Sequence, residues 1–371
     1  MRIAFISKQF EAVRGGSSLF GDIFSVIGER HDIVVFARED RYQRKTWTTM
    51  IVSAWHPYSV PWLAEFAFAR SVVRRILDEH ARKPFDLIVV NQTIGTPIRS
   101  LKALGVPVVY VIHHPVSVDR ELAITESASL FERIRWMFRY GPMVRIQRLL
   151  ARTFQVVTVS QTAAERIVTD YAIPSDHIRV IVNGIDTDFF QKTLATERKT
   201  ILAVGSYQHP RRGFRYLLEA YRALARQGFT VMDVGRRTEK QATPLRLIPG
   251  IQIFELITAT QLRDLYSRAS VSISTSLYEG FGLSLAESLS CGTPAVAFDS
   301  GGVRDVLGIV DERLLCPVGD VRTLVERVIE MDGRNDRKKL ADRYHHAVLS
   351  HFSLSRMANE YEGFFLEMVR A

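Results

Sequence analysis

Short runs of apolar, β-rich residues recur along the chain, separated by longer segments whose apolar positions fall three and four residues apart. The first pattern predicts strands and the second amphipathic helices. In the first half, strands are predicted at residues 2–7, 32–37, 86–91, 106–112, 155–160 and 178–182, with helix-length stretches between them. The second half repeats the scheme at 200–205, 230–234, 252–255, 271–275, 295–298 and 314–316. Strands that alternate with helices argue for parallel sheets joined by crossover helices. The expected fold class is therefore α/β, with two doubly wound Rossmann-like domains. Asn183-Gly184-Ile185-Asp186 reads as a turn and residues 191–199 as a linker, so residues 1–190 form the first domain and 191–353 the second. Two such units facing each other place a ligand cleft at the carboxyl ends of their strands.

At 371 residues the chain exceeds the size at which one core stops growing, in keeping with two domains. Its 47% hydrophobic and 24% charged content places it among soluble globular proteins. The two cysteines, Cys291 and Cys316, sit in apolar surroundings and read as buried thiols of a reducing compartment, not as a disulfide or a metal site. The apolar run after Met1 is too short for a signal peptide, and no apolar stretch reaches the length of a membrane span. A cytoplasmic protein is expected. The net charge of +9 suits an anionic partner without saying which.

Chemistry concentrates in residues 274–294, STSLYEGFGLSLAESLSCGTP. A buried strand feeds the turn Gly280-Phe281-Gly282, which opens a helix beginning at Leu283. Glycines let the backbone approach a ligand, and the free N–H groups of a helix start favour a diphosphate. Glu279 stands at the mouth of the turn and Glu287 lies further along the helix. A bland reading makes Glu279 a turn cap and Glu287 a solvated helix residue. The functional reading makes them two acceptors for a ligand with hydroxyls at both ends of a diphosphate, which describes a sugar nucleotide. The full string, with Ser276 and Tyr278 before the first glutamate and Cys291-Gly-Thr-Pro-Ala-Val after the second, resembles the Glu-x7-Glu signature of family 4 retaining glycosyltransferases. The resemblance implies the two-domain GT-B fold, with the last helix (residues 354–371) returning to the first domain. It also implies a nucleotide-sugar donor, UDP- or GDP-linked, as substrate, with no cofactor and no metal. Glu279 would then hold sugar hydroxyls and Glu287 the ribose, with Gly280, Phe281, Gly282 and Leu283 lining the donor.

Other stretches are read beside this one. Gly15 and Gly16 follow the first strand, where paired glycines allow contact with phosphate; in the resembling enzymes such a loop meets the donor, although Ser17 and Ser18 stand where an acidic residue is common. His113 and His114 end the strand 106–112. The resemblance gives His113 a hydrogen-bonding role toward the donor sugar and leaves His114 as the neighbour able to contact sugar or acceptor. After the strand 200–205, Arg211 and Arg212 precede Gly213. Arg212 replaces the family's lysine and Ser206 its arginine, so both arginines are assigned to the donor diphosphate, with Arg212, Glu279 and His113 as the catalytic set. Asp186-Thr187-Asp188 has the spacing of a metal-binding tripeptide, but its place in a turn at the linker argues for structure.

Between Arg133 and Arg152 the chain has six arginines and no acids: Arg133, Arg135, Arg139, Arg145, Arg148 and Arg152. Trp136 and other apolar residues interleave them, and Gly141-Pro142 is expected to divide two helices. Two readings stand: a basic amphipathic segment lying on an anionic membrane at its inner face, or a packed helix with a solvated basic face. No nucleic-acid motif accompanies the charge, and no nucleic-acid partner is expected. The function expected is retaining transfer of a sugar from a nucleotide-diphosphate sugar to a saccharide or lipid-linked acceptor, in the making of cell-surface glycans or glycolipids. The alternatives are a sugar-nucleotide epimerase of the same architecture and an inactive, membrane-associated binding protein.

Overall fold

The apolar runs of the sequence become parallel strands. The computed structural model describes residues 1–10, 19–40, 42, 46–54, 60–192 and 197–371, and divides into two units: Met1–Val182 with Leu354–Ala371, and Asn183–Ser353.

In the first unit the strands are β1 (Arg2–Ile6), β2 (Gln9–Phe10), β3 (Asp32–Ala37), β4 (Glu39–Asp40), β5 (Thr48–Ile51), β6 (Leu87–Asn91), β7 (Val108–Ile112), β8 (Gln155–Thr158) and β9 (Ile178–Val180). Seven of them form a parallel sheet in the order β5-β3-β1-β6-β7-β8-β9, and β2 pairs separately with β4. Helices α1 (Leu19–Ile27), α2 (Pro61–Arg82), α3 (Val116–Thr125), α4 (Leu130–Ala151) and α5 (Gln161–Tyr171) complete the N-terminal part of this unit. Successive side chains of a strand point to opposite faces, so each central strand feeds two cores. Ala4, Ile6, Ile88, Val90, Tyr110 and Ile112 enter one core with α2 and α4. Ile3, Phe5, Leu87, Val89, Val109 and Val111 enter the other, with α1 and the C-terminal helix. That helix contributes Met357, Ala358, Tyr361, Phe364 and Phe365, the three-and-four spacing of one buried face. Its Glu362 accepts from Arg30 at 2.9 and 2.7 Å, next to α1.

The second unit holds β10 (Thr200–Val204), β11 (Thr230–Val234), β12 (Ile251–Phe254), β13 (Val271–Ser274), β14 (Ala295–Phe298) and β15 (Leu315–Cys316). Their order is β12-β11-β10-β13-β14-β15, again parallel, with α6 (Phe214–Arg226), α7 (Glu239–Leu245), α8 (Ala259–Arg268), α9 (Leu283–Ser290), α10 (Val303–Val310), α11 (Val321–Gly333) and α12 (Arg337–His351) around it. The C-terminal helix is α13 (Leu354–Arg370). In both sheets the first strand of the unit lies in the middle and the order reverses beside it, between β1 and β6 and between β10 and β13. Such a reversal leaves a crevice at the carboxyl ends of the two strands.

Three details differ from the sequence reading. The boundary falls after Val182, because Ile185 N donates to Phe352 O at 2.8 Å and Ser290 Oγ to Phe190 O at 2.6 Å, which ties residues 183–190 into the second unit. Gly141-Pro142 does not divide two helices: α4 runs unbroken through Pro142. A proline costs one helical hydrogen bond there, and packing of Tyr140, Val144, Gln147 and Leu150 on either side holds the helix together. Edge strand β5, Thr-Thr-Met-Ile, is half-exposed and gives no buried run to recognise.

A buried ion pair braces the second unit behind β10. Asp233 on β11 pairs with Arg237, both side chains fully buried, and Tyr221 OH donates to Asp233 Oδ1 at 2.8 Å. Arg237 Nη1 also donates to Gly205 O at 2.6 Å, and its guanidinium lies 4.7 Å from the Tyr207 ring centre. Burial pushes the Asp233 carboxyl up while Arg237 pulls it down. Removing one partner strands the other in a dry interior, at a cost of about 3–5 kcal/mol. Arg237→Met is therefore expected to lower the urea midpoint of the second unit by the equivalent of about 3 kcal/mol. Adding Asp233→Leu should recover most of the loss, since replacing both charges removes the stranded one.

Candidate functional site

In the second unit, three loops leave the carboxyl ends of β10, β13 and β14 and touch through their backbones. A Cβ on Gly213 would meet Thr275 O at 2.1 Å, one on Gly301 would meet Glu279 O at 2.3 Å, and one on Gly302 would meet Gly280 O at 2.2 Å. Gly213 also has φ +65°, a left-handed conformation that suits glycine. Hydrogen bonds close the contacts: Leu277 N to Arg211 O at 2.7 Å, Gly302 N to Glu279 O at 2.8 Å and Ser300 Oγ to Ser276 O at 2.7 Å. The loop carrying Arg211 and Arg212 is thereby held against the loop carrying Glu279.

At the junction Arg212 forms an ion pair with Glu279, Arg211 Nη1 lies 3.6 Å from Glu279 Oε2, and Ser276 Oγ donates to Glu279 Oε1 at 2.7 Å. Arg211 Nη1 also donates to Tyr278 O at 3.0 Å. Among the described residues two guanidiniums face one carboxylate here, and α9 begins directly after it at Leu283. Gly282, at φ +104°, turns the chain into that helix, whose first N–H groups have no partner within the helix. An anion is the natural ligand of this arrangement. Gly280 lies in the turn, whereas Phe281 is buried, its ring edge-on against Phe352 at 5.5 Å. Glu287, on the same helix, is buried, and Tyr266 OH donates to its Oε2 at 3.1 Å. It is not a solvated helix residue. Ser206 Oγ reaches Arg236 O at 3.5 Å. Asp186 serves a turn, accepting from Phe189 N through Oδ1 at 2.9 Å. Cys291 and Cys316 are buried and not joined to each other.

The first unit gathers polar groups after β6 and β7. Gly15 and Gly16 lie outside the described residues. His113 Nε2 lies 2.7 Å from Asn91 Oδ1, and Asn91 Nδ2 donates to Ser7 Oγ at 3.3 Å. Because the Asn91 oxygen can only accept, His113 Nε2 carries the proton and Nδ1 is left as its acceptor. Burial, helped by the neighbouring His114, pulls the His113 pKa down to about 4, so the ring is neutral around pH 7. Gln92, at φ +45°, accepts from His113 N through its side chain at 2.9 Å and clamps the turn. His114 Nε2 is 3.0 Å from Asp119 Oδ2, so that nitrogen is engaged within the unit. Asn91, Gln92 and Tyr266 were not visible as site residues in the sequence. Asn91 and Gln92 stand side by side where an apolar strand ends and Tyr266 sits on a mixed polar helix, with no motif around any of them; only the positive φ of Gln92 marks it structurally.

The arginines of α4 separate into two groups. Arg148 Nη2 donates to Asp170 O at 2.6 Å and Arg152 Nε to Tyr171 O at 2.9 Å, so these two cap the carboxyl end of α5. Arg133, Arg135, Arg139 and Arg145 are exposed, and Arg135 and Arg139 lie by Trp136, which stacks on Tyr140 at 5.7 Å. Among the described residues no helix is long and apolar enough to cross a membrane.

Comparison with known proteins agrees with this architecture. Residues 26–189 match the family described as Glycosyltransferase Family 4, and residues 198–331 the family described as Glycosyl transferases group 1. The MMP alpha-(1->4)-mannosyltransferase of Mycolicibacterium hassiacum is 30% identical over 288 residues, covering 75% of this chain and 69% of that protein. The phosphatidyl-myo-inositol mannosyltransferase of Mycobacterium leprae is 26% identical over 316 residues, covering 79% of this chain and 76% of that protein. Among solved structures, the sucrose-phosphate synthase of Thermosynechococcus elongatus superposes with a TM-score of 0.81 at 19% identity, over 99% of this chain and 98% of that one. With its two parallel α/β units and these matches, the chain belongs to the family 4-type glycosyltransferases of the GT-B fold.

Proposed function

We propose that this chain is a metal-independent, retaining hexosyltransferase that takes its sugar from a UDP- or GDP-linked donor and passes it to a saccharide or lipid-linked acceptor. The observation that carries the reading is the convergence of Arg211 and Arg212 on Glu279 at the start of α9, with Glu287 buried behind it. The named relatives act as mannosyltransferases, one of them on phosphatidyl-myo-inositol, which favours a mannosyl-type hexose and a glycolipid or surface-glycan product. The same reading has the protein working at the inner face of a membrane.

In the proposed step the bond between the anomeric carbon and the diphosphate oxygen breaks, and its electron pair stays on the diphosphate. Arg212 and Arg211 neutralise the charge that develops there, while the first N–H groups of α9 add a fixed dipole. The acceptor oxygen attacks the same face of the sugar and its proton passes to the departing phosphate, so the anomeric configuration is kept. A diphosphate competes with Glu279 for the two guanidiniums, and the carboxylate it displaces becomes available to sugar hydroxyls. Glu287 holds the ribose, and neutral His113 offers Nδ1 as a hydrogen-bond acceptor for the sugar.

Four measurements test this. A nucleoside diphosphate that binds the native state raises its melting temperature by mass action. One series, uridine or guanosine, is expected to stabilise the wild type and to lose its effect in Glu287→Ala; no shift from any nucleotide would remove the donor reading. With that donor, transfer to an acceptor separates the transferase from an epimerase, which turns the donor over alone, and from a binding protein, which leaves it intact. Arg212→Ala should lower kcat by about a hundredfold or more, the scale of losing one charge-stabilising donor, with Arg212→Lys falling between.

The fourth measurement concerns pH. A histidine whose folded pKa lies below its ordinary value of about 6.5 stays neutral down to the folded value. Its contribution to stability is complete above about 6.5 and is lost as pH falls through about 4. The His113 ring resonances of the wild type should accordingly show no titration between about pH 5 and 8. Asn91→Asp sets a carboxylate beside Nε2 and should bring the titration into that window, making the transfer rate pH-dependent there.

A further inference from the structure

The exposed half of α4 is poorly explained as a packed helix. Phe131 and Phe138 are 75% and 76% exposed, and Leu130, Ile134 and Met137 are also open to solvent. At about 100° per residue, these five side chains fall within about 120° of the helix circumference. They form one continuous apolar stripe. Arg133 and Arg135 stand about 40° beyond its two edges, and Arg145 continues its line further along the helix. None of Arg133, Arg135, Arg139 and Arg145 has an ion-pair partner among the described residues. Glu132, the acid at the start of the helix, is used in capping: Ser129 Oγ accepts from Glu132 N at 3.2 Å, and Glu132 Oε2 from Ala128 N at 3.0 Å.

A second element extends the patch. Trp62, in the first turn of α2, is 37% exposed and lines a groove of about 480 Å³ together with Arg135, Trp136, Phe138 and Arg139. The guanidiniums of Arg135 and Arg139 lie 5.2 and 5.7 Å from the Trp136 ring centre, so both charges are carried at the rim of an aromatic floor. Apolar side chains for an acyl layer, Trp62 beside them and arginines around them without an ion-pair partner among the described residues match the chemistry of an interface between acyl chains and anionic headgroups. A protein partner would need a matching acidic, apolar surface, whereas an anionic bilayer supplies both properties without a specific fold.

We propose that the N-terminal half of α4, together with Trp62, is the surface by which this chain rests on an anionic phospholipid bilayer, with the groove beneath Arg135 and Arg139 receiving a lipid phosphate. The proposal does not rest on the loops around Glu279, which belong to the other unit. It is tested by sedimentation of the full chain with phosphatidylcholine vesicles, with and without phosphatidylglycerol, at physiological salt. The expected result is binding to the anionic vesicles and at least about tenfold weaker binding to the neutral ones. Phe131→Ser with Phe138→Ser, and separately Arg135→Glu with Arg139→Glu, should each weaken binding by about tenfold or more. These positions are exposed, so melting temperature and nucleotide-induced stabilisation should match the wild type in both double variants, which keeps a failed fold or a failed donor reading distinct from a failed surface. Equal binding to both vesicle types, no binding, or variants that bind like the wild type would each overturn the proposal. So would light scattering that shows a dimer dissolved by the same substitutions, because the stripe would then be a contact between two copies.

Discussion

The carboxylate of Glu279 is held by two guanidiniums and a hydroxyl, and the three loops of the second unit are placed around that contact. Charge-assisted hydrogen bonds are strong and directional, so they fix the loops at the distance at which backbones touch. Only glycine leaves room for that approach, at Gly213, Gly301 and Gly302. Behind the first loop, the buried pair of Arg237 and Asp233 holds Gly205 from below. A group of opposite charges thus gives the patch a fixed shape, with two guanidiniums to one carboxylate among the described residues.

The two units solve the same problem with the same sheet. Each places its first strand centrally and reverses the order beside it, and each puts polar residues at the carboxyl end of the strand across that reversal: Asn91 and Gln92 at the end of β6, Ser276 and Glu279 after β13. The chemistry differs. The first unit keeps a neutral imidazole fixed in one tautomer by Asn91, whereas the second concentrates charge.

Much of this architecture was legible in the amino-acid pattern, because parallel strands are covered on both faces and appear as unbroken apolar runs. The order of elements and the two glutamates followed from such runs and from one glycine turn. The missing parts lacked that signal. β5 is a half-exposed edge, so its sequence carries no buried run. Pro142 is a strong local breaker, but tertiary packing outweighed it in α4. The arginines of that helix looked alike in sequence. Two of them cap α5 and the others remain at the surface, a division set by the distance of each to the carbonyls at residues 170–172. The tautomer of His113 depends on an asparagine more than twenty positions away, which no local pattern records.

The placement of α13 has a consequence for how the chain is made. Its Tyr361 and Phe365 cover the sheet face built from Phe5, Val89 and Val111, and the Tyr361 ring meets Phe20 at 5.2 Å. Synthesis runs from the amino end, so that face is finished early while its cover is made only after the whole second unit. The second unit, Asn183–Ser353, has all of its own strands before that point and can condense first. During translation the earlier-made unit therefore waits, with an apolar surface open, for the later-made one to pass. A ribosome that stalls within the final helix would release a chain whose second unit is complete and whose first is sticky.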